Sequence, residues 1–124
     1  MNEALKNTHF ERITDEKARR VYEYLCIACE QREGGMKDAD QMLISDYAYA
    51  EQVKGVLMDD IAKRGIGQER SNGRQKYWAD NKSLVHFRRY CDQQRKQLAE
   101  LKLTPSSRKA EAVDINDDFD TFPD

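Results

Sequence analysis

Cys26 and Cys29 are the pair of residues whose types and spacing most directly suggest chemistry. A Cys-x2-Cys pair, with His86 and Cys91 as further ligands, has the donor atoms of a structural zinc site. Both cysteines, however, fall in the middle of a predicted helix and on its apolar face, whereas zinc-binding pairs usually occupy turns. The pattern therefore favours packing in a core. A cysteine-metal enzyme is kept only as an alternative.

Other catalytic arrangements are poorly represented in the chain. It has two histidines, His9 and His86, and no glycine-flanked serine of the nucleophile-elbow type. Gly65-x-Gly67 lacks a third glycine and a preceding strand, and no phosphate-binding loop with Gly-Lys-Ser/Thr occurs. The neighbouring acids Asp59 and Asp60 favour a solvated helix face over a metal site. We expect no catalytic residue, no bound metal and no cofactor.

Charge is strongly segregated along the chain. Residues 1–62 carry a net charge of −5, residues 63–109 carry +9, and residues 110–124 carry −6. A block as basic as the middle segment is typical of proteins that bind nucleic acid, although a solvated helix face would show the same composition. The sequence predicts DNA contacts from the basic side chains of this block and of the turn that ends it: Arg70, Arg74, Lys76, Arg88, Arg89, Arg95, Lys96, Arg108 and Lys109.

Helices are the elements expected to position these cations. The spacing of apolar residues predicts a first helix that begins at Thr14 and stops at Gly34-Gly35, and a second from about Asp38 to Arg64 that ends at Gly65. Asp38 or Asp40 is expected to cap the second helix. A helix of that length spans ~40 Å. Because this is too long for a compact monomer of 124 residues, part of it should pack on another chain.

The segment at 65–79 has a different character from the helices around it. Asn72-Gly73 is a strong hairpin signal, and it predicts a small β-hairpin from Gln68–Ser71 and Arg74–Trp78. Its apolar content is low, so it must lean on a helix or on a neighbouring subunit. Tyr77 and Trp78 are expected to anchor it or to contact another subunit, with stacking on bases as the alternative.

A third helix follows from Asp80 or Asn81 to about Leu101, and Thr104-Pro105 predicts the start of a short fourth helix. The chain is thus divided into a flexible N-terminal arm (1–13), a helical oligomerisation and DNA-binding domain (14–110) and an acidic disordered tail (111–124). Two phenylalanines among aspartates suggest that the tail is a peptide that folds on a partner, through Phe119, Asp120 and Phe122. A solubilising tail that competes with DNA is the alternative.

In this order of elements the chain resembles the small subunit of tailed-bacteriophage terminase. The resemblance is carried by a helix-opening element at Met36-Lys37-Asp38-Ala39-Asp40, a long helix ending at Gly65, a turn-rich hairpin, and a third helix that ends in the Leu-x-Leu-Thr-Pro-Ser-Ser-Arg element of residues 101–108. The chain departs from the family pattern in having Met36-Lys37 at the opening, and Asn81-Lys82 where Asn-Pro is often found.

The resemblance implies a mainly α fold: a long antiparallel helical hairpin and a third basic helix, with the β-hairpin or loop at 65–79, assembled into an oligomeric ring. It further implies a protein of the host cytoplasm that binds double-stranded viral DNA at the packaging site and hands it to the large subunit, which carries the ATPase and the nuclease. A membrane partner is not expected. A helical transcription regulator is the runner-up, but the ~15 residues between the second and third helices exceed the turn of a helix-turn-helix.

Overall fold

The computed structural model describes residues 1–105, and these form four helices and one two-stranded sheet. The elements in chain order are α1 (Glu3–Arg12), α2 (Glu16–Gln31), α3 (Asp38–Arg64), β1 (Gly67–Asn72), β2 (Gln75–Asp80) and α4 (Lys82–Glu100). The expected mainly helical fold with a small hairpin is confirmed. In the described residues, no helix has the length and apolar character needed to cross a bilayer.

The first thirteen residues differ from the flexible arm expected from the sequence. They form helix α1, whose N-cap Asn2 accepts a hydrogen bond from the Leu5 amide at 3.1 Å. Ile13, which ends the helix, is completely buried in the core. The buried Gln41 side chain holds Asn2 from both sides, accepting from its amide at 3.0 Å and donating to its carbonyl at 2.9 Å. The N-terminal segment is therefore a docked helix.

Helices α2 and α3 form the expected antiparallel hairpin. The N-cap of α2 is Asp15, which accepts from the Ala18 amide at 3.0 Å, and not Thr14 as predicted. Lys37 occupies the N-cap position of α3, and Asp40 bonds back to the Lys37 amide at 2.9 Å, so neither predicted aspartate is itself the N-cap residue. The C-terminal end of α3 is as predicted, because Gly65 has the positive φ of 76° that glycine adopts readily.

The core lies between α1, α2, the first half of α3 and the C-terminal end of α4. Tyr22 is its largest fully buried side chain, and its ring meets Phe10 edge-on with 5.3 Å between centroids. The buried apolar cluster is Ile13, Ala18, Tyr22, Leu25, Cys26, Cys29, Ile44, Ala48 and Leu101. Cys26 and Cys29 thus lie in the core, as the helical pattern suggested.

Helix α4 runs antiparallel to α3, because Gln94 bonds the Tyr47 carbonyl near the core while Ser83 bonds Asp60 near the far end. It closes with a Schellman motif at Leu101-Lys102-Leu103, where the Leu103 amide donates to the Leu98 carbonyl and the Lys102 amide to that of Ala99. Lys102 takes the left-handed conformation with φ 58°. Leu101 and Leu103 thereby pack on the core.

The hairpin is longer than predicted and its turn is displaced by one residue. Asn72 pairs with Gln75, so the turn residues are Gly73 and Arg74. Only Gly73 has a positive φ, at 63°, which matches a turn with glycine at its first central position. Residues 68–78 are all exposed. Between residues 51 and 93 only Asn81 is buried. We call residues 51–93 the arm, and the remaining described residues, 1–50 and 94–105, the body.

Candidate nucleic-acid interface

The hairpin carries three of the predicted DNA-contacting residues at the end of the arm. Arg70 lies in β1, Arg74 in the turn and Lys76 in β2, and all three are exposed. Because alternate residues of a strand point to opposite faces, Arg70 and Lys76 lie on different faces of the hairpin. The structure therefore brings these cations to one element but does not place them on one surface.

Helix α4 presents the other described candidates as two basic rows on its exposed side. Arg89 and Lys96 are seven residues apart, and so are Arg88 and Arg95, so each pair lies on one side of the helix and ~10 Å apart. All four side chains are exposed. Lys82 continues the row of Arg89 and Lys96 toward the hairpin. Sequence reasoning missed it, although the same spacing of seven residues would have identified it.

Cations without an ion pair are concentrated on the arm and α4, although Lys17, Arg19 and Lys37 of the body also form none within 4.0 Å among residues 1–105. In the body, Lys6 pairs with Glu23 at 2.9 Å, and Arg32 pairs with Asp40 at 2.6 Å. By contrast, the following cations form no ion pair within 4.0 Å with any residue from 1 to 105: Lys63, Arg70, Arg74, Lys76, Lys82, Arg88, Arg89 and Lys96. Arg95 lies 3.8 Å from Asp92, at the edge of an ion pair. Unpaired cations leave a positive field available for phosphates.

A hydrogen-bonded cluster around Asp60 joins the hairpin to both helices of the arm, and we call it the Asp60 clamp. Asp60 accepts from Arg64 Nε at 2.7 Å and Nη2 at 2.6 Å, from Ser83 Oγ at 2.6 Å and from Asn81 Nδ2 at 3.3 Å. Asn81 also donates to the Gly65 carbonyl at 2.9 Å. The bonds from Arg64 and then Ser83 hold the pKa of Asp60 well below its usual range. The clamp fixes the foot of the hairpin.

The clamp was not predicted from the sequence. Asp60 was weighed there only as part of an acidic pair, with a solvated helix face as the favoured reading. Two local signals were present: Arg64 follows Asp60 by four residues, which is helical ion-pair spacing, and Asn81 precedes α4 as an N-cap. Asp60 and Asn81 meet because α3 and α4 pack antiparallel, and a local sequence pattern cannot predict that packing.

Lys54 joins α3 to α4 where the arm leaves the body. Its ammonium group donates to Gln94 Oε1 at 2.7 Å and lies 5.2 Å from the centre of the Phe87 ring. Lys54 therefore lies between α3 and α4, with its stem against the helices and its ammonium group hydrogen-bonded. This contact holds α4 against α3, while the basic rows of α4 remain exposed.

Tyr77 and Trp78 do not anchor the hairpin on a helix of their own chain. Tyr77 is 49% exposed and Trp78 is 58% exposed. The indole lies across Gly67, where an added Cβ would come within 2.8 Å of the ring, and its Nε1 donates to Asp80 at 2.7 Å. Trp78 is thus held by its own hairpin, and both aromatic rings remain accessible.

A metal site on the cysteines is not supported by their surroundings. Both thiols are buried in the core, and burial raises the pKa of the Cys26 thiol to about 12 and also raises that of Cys29. His86 is exposed on α4. Within residues 1–105 no three His, Cys, Asp or Glu side chains come together as a possible metal site.

Five predicted site residues lie outside the described part of the chain. These are the last two DNA-contacting candidates and the three partner-binding candidates of the tail: Arg108, Lys109, Phe119, Asp120 and Phe122. They remain predictions from the sequence.

A search of protein-family models matches residues 18–118 to the family described as phage terminase, small subunit. This span begins in the first turn of α2 and contains α3, the hairpin and α4, so it covers the arm and most of the body. Neither the curated proteins nor the solved structures give a match.

Proposed function

Since the chain belongs to the phage terminase small-subunit family, we propose that it recognises double-stranded viral DNA and delivers it to the large terminase subunit during genome packaging. It does this in the host cytoplasm, as a ring of identical subunits and without catalysis of its own. The large subunit supplies the ATPase and the nuclease. The family assignment is the premise, and the residues that carry out each step are argued below.

One observation carries the DNA-binding part of the proposal: the unpaired cations are concentrated on the arm and on α4. Each Lys or Arg that neutralises a phosphate releases condensed counterions, which favours binding at low salt. An arginine already paired with a carboxylate must give up that bond first, whereas Arg88 and Arg89 have no such competitor within 4.0 Å in the described chain. A ring would multiply this charge by its number of subunits.

Ring assembly is supported by apolar side chains that a single chain leaves exposed on the arm. Val56 is 67% exposed, Met58 is 55% exposed and Ile66 is 60% exposed. Val56 and Met58 line an open groove of about 710 Å³ that Val21 and Ala18 border from α2. Covering such side chains against a second copy would stabilise an arm that has almost no buried core of its own.

The acidic tail is proposed as the contact with the large subunit, through Phe119, Asp120 and Phe122. Two aromatic side chains in an acidic segment would be recognised by an apolar groove with a basic rim. Deleting residues 111–124 should weaken capture of the large subunit while sparing assembly and DNA binding. Capture at undiminished strength would reject this part of the proposal.

The DNA-binding proposal is tested by measuring affinity for duplex DNA as a function of salt. Each phosphate contact contributes ~0.9 to the slope of log K against log salt, so replacing Arg88 and Arg89 by alanine should lower the slope by up to ~1.8. Arg20 and Lys37 are a matched control, because they are exposed cations of the body outside the groove lined by Val56 and Met58, and their replacement removes the same charge. Equal effects of the two pairs, or no binding at low salt, would reject the interface.

Assembly is tested separately, by light scattering at micromolar concentration. The full chain should have a mass well above that of a dimer, and Val56→Ser with Met58→Ser should reduce it. A monomer would contradict the ring without touching the DNA-binding proposal.

A further inference from the structure

The two faces of the hairpin differ in charge. Alternation along the paired strands divides its side chains into two sets. One face, which we call the Arg70 face, contains no carboxylate and consists of Gln68, Arg70, Asn72, Gln75, Tyr77 and Ala79. The opposite face, which we call the Trp78 face, contains both acids of the hairpin and consists of Gly67, Glu69, Ser71, Lys76, Trp78 and Asp80. A polyanion would meet attraction on the first face and repulsion on the second.

The Arg70 side chain is held in place on its face. It lies directly opposite Tyr77 in the ladder. With the Gln68 amide turned to satisfy both its ends, Gln68 Oε1 accepts from Arg70 Nε and Nη2, each at 3.0 Å. This arrangement leaves Nη1 and the exposed edge of the guanidinium available. A guanidinium oriented before binding loses less side-chain freedom when it meets a ligand.

Polar and basic groups continue from the Arg70 face into the foot of the hairpin. A hollow of about 450 Å³ lies there, bordered by Gln68 and Ala79 of the Arg70 face. Three basic side chains, Arg64, Arg70 and Lys82, border it together with one acidic side chain, Asp80. The Asp60 clamp holds this foot through Arg64 and Asn81, so the face keeps a defined direction relative to the basic rows of α4.

The Trp78 face is occupied by its own groups. The indole covers Gly67 and donates to Asp80, and Glu69 stands directly opposite Trp78 in the ladder. Two carboxylates beside the ring would repel phosphates, so this face is poorly suited to enter a groove, and only Lys76 near the turn is left to reach the DNA backbone. The differing composition of the faces therefore decides which one a duplex would approach.

We propose that the Arg70 face enters the major groove of duplex DNA and reads base edges, which makes the hairpin the sequence-recognition element of this subunit. The inference rests on the proposed DNA-binding function and adds the residues that choose the site. The major groove admits a two-stranded β-ribbon. Arginine pairs with the O6 and N7 acceptors of guanine, and Asn or Gln pairs with adenine. Arg70 thus selects guanine, Asn72 and Gln75 select adenine, and α4 holds the backbone.

The test is selection of binding sites from a pool of random-sequence duplex DNA by the full chain. The wild-type protein should enrich a motif containing guanine. Arg70→Ala should lose preference for that guanine by about 5- to 150-fold, and Asn72→Ala with Gln75→Ala should relax neighbouring positions. Lys76→Ala is the matched control, since it removes the same charge from the Trp78 face. It should lower affinity for all sequences and leave the motif intact.

A second measurement identifies the groove. Replacing the selected guanine by 7-deazaguanine removes the N7 acceptor from the major groove, and this should weaken wild-type binding but not binding by the Arg70→Ala protein. The inference is overturned if Arg70→Ala and Lys76→Ala enrich the same motif, or if the wild-type protein binds DNA but enriches none. A failure to bind any duplex at low salt would instead overturn the proposed function.

Discussion

Replacing Asp60 by alanine should weaken DNA binding, even though it removes a negative charge from the arm. Charge alone predicts the opposite, because a less acidic arm attracts phosphates more strongly. Asp60, however, accepts hydrogen bonds from Arg64, Ser83 and Asn81, and so holds the foot of the hairpin against α3 and α4. The alanine variant removes all of these bonds and frees the hairpin to move. Positioning and charge therefore predict changes of opposite sign.

The size of the loss follows from the cations that the hairpin carries. Arg70 is assigned to a base edge, and Arg74 and Lys76 together account for ~1.8 in the slope of log K against log salt if each meets a phosphate. At 0.1 M salt, that slope corresponds to a factor of ~60 in affinity relative to 1 M salt. Losing half of this contribution to the logarithm would weaken binding by about eightfold, in addition to any loss of the Arg70 contact. The added charge of the variant would offset only a small part, because screening weakens charges beyond ~10 Å.

Asp59→Ala is the matched control, because it changes the same charge at the neighbouring position. Asp59 is exposed and forms no ion pair within 4.0 Å among residues 1–105, so its replacement should leave affinity unchanged or slightly raised. Trp78 is the single tryptophan of the chain, and its fluorescence anisotropy reports hairpin motion directly. It should fall in the Asp60 variant alone. Binding as tight as that of the Asp59 variant would refute the positioning role of the clamp.

Three further outcomes are expected of the body. Tyr22→Phe should lower the free energy of unfolding by ~1–3 kcal/mol in urea titrations. The variant loses the hydroxyl that forms hydrogen bonds with His9 and Gln41, each at 2.8 Å. Tyr24→Phe is the control, because Tyr24 is 70% exposed and its replacement should leave the free energy of unfolding unchanged. Burial and, after it, the nearby Arg12 lower the pKa of His9, so the unfolded chain takes up a proton at a higher pH than the folded chain. The free energy of unfolding should therefore fall as the pH drops below 6.5. His9→Gln should reduce that loss, and His86→Gln should not. The Cys26 thiol should resist alkylation until the protein unfolds, and rapid labelling of the native chain would contradict its burial.

The helical hairpin of α2 and α3 could be predicted from the sequence because its signals are local. Apolar spacing placed α3 from about Asp38 to Arg64, and the glycine that must take a positive φ marked its end at Gly65. The cysteines were correctly assigned to the core because they share the apolar face of α2. In each case the local sequence is sufficient: the spacing of apolar residues predicts the helix and its buried face, and the glycine predicts where the helix ends.

Helix α1 was missed because polar contacts, and not an apolar stripe, hold most of it. None of its own residues is completely buried, and its start is fixed by hydrogen bonds between Asn2 and Gln41. Gln41 lies on α3, 39 positions away in the sequence. Because Gln41 is polar, the sequence pattern of α3 does not indicate that its side chain will be buried against α1.

The candidate site was predicted in its residue types but not in its arrangement. The basic residues of the hairpin and α4 were identified from composition, and all seven that the structure describes are exposed. The displaced turn changed which residues stand opposite each other, because Arg70 pairs with Tyr77 and not with Gln75. It left the two faces of the hairpin unchanged, since the predicted and observed registers differ by an even number of positions. The direction of these faces relative to α4 depends on the Asp60 clamp, which the local sequence does not contain.

The central claim is that the unpaired cations of the arm and α4, and not those of the body, meet DNA. Lysine acetylation of the full chain with and without duplex DNA, read by mass spectrometry, tests it most directly. Lys76, Lys82 and Lys96 should be protected by DNA, whereas Lys17 and Lys37 should react equally in both samples. Protection of the two body lysines with the other three unchanged would contradict the account.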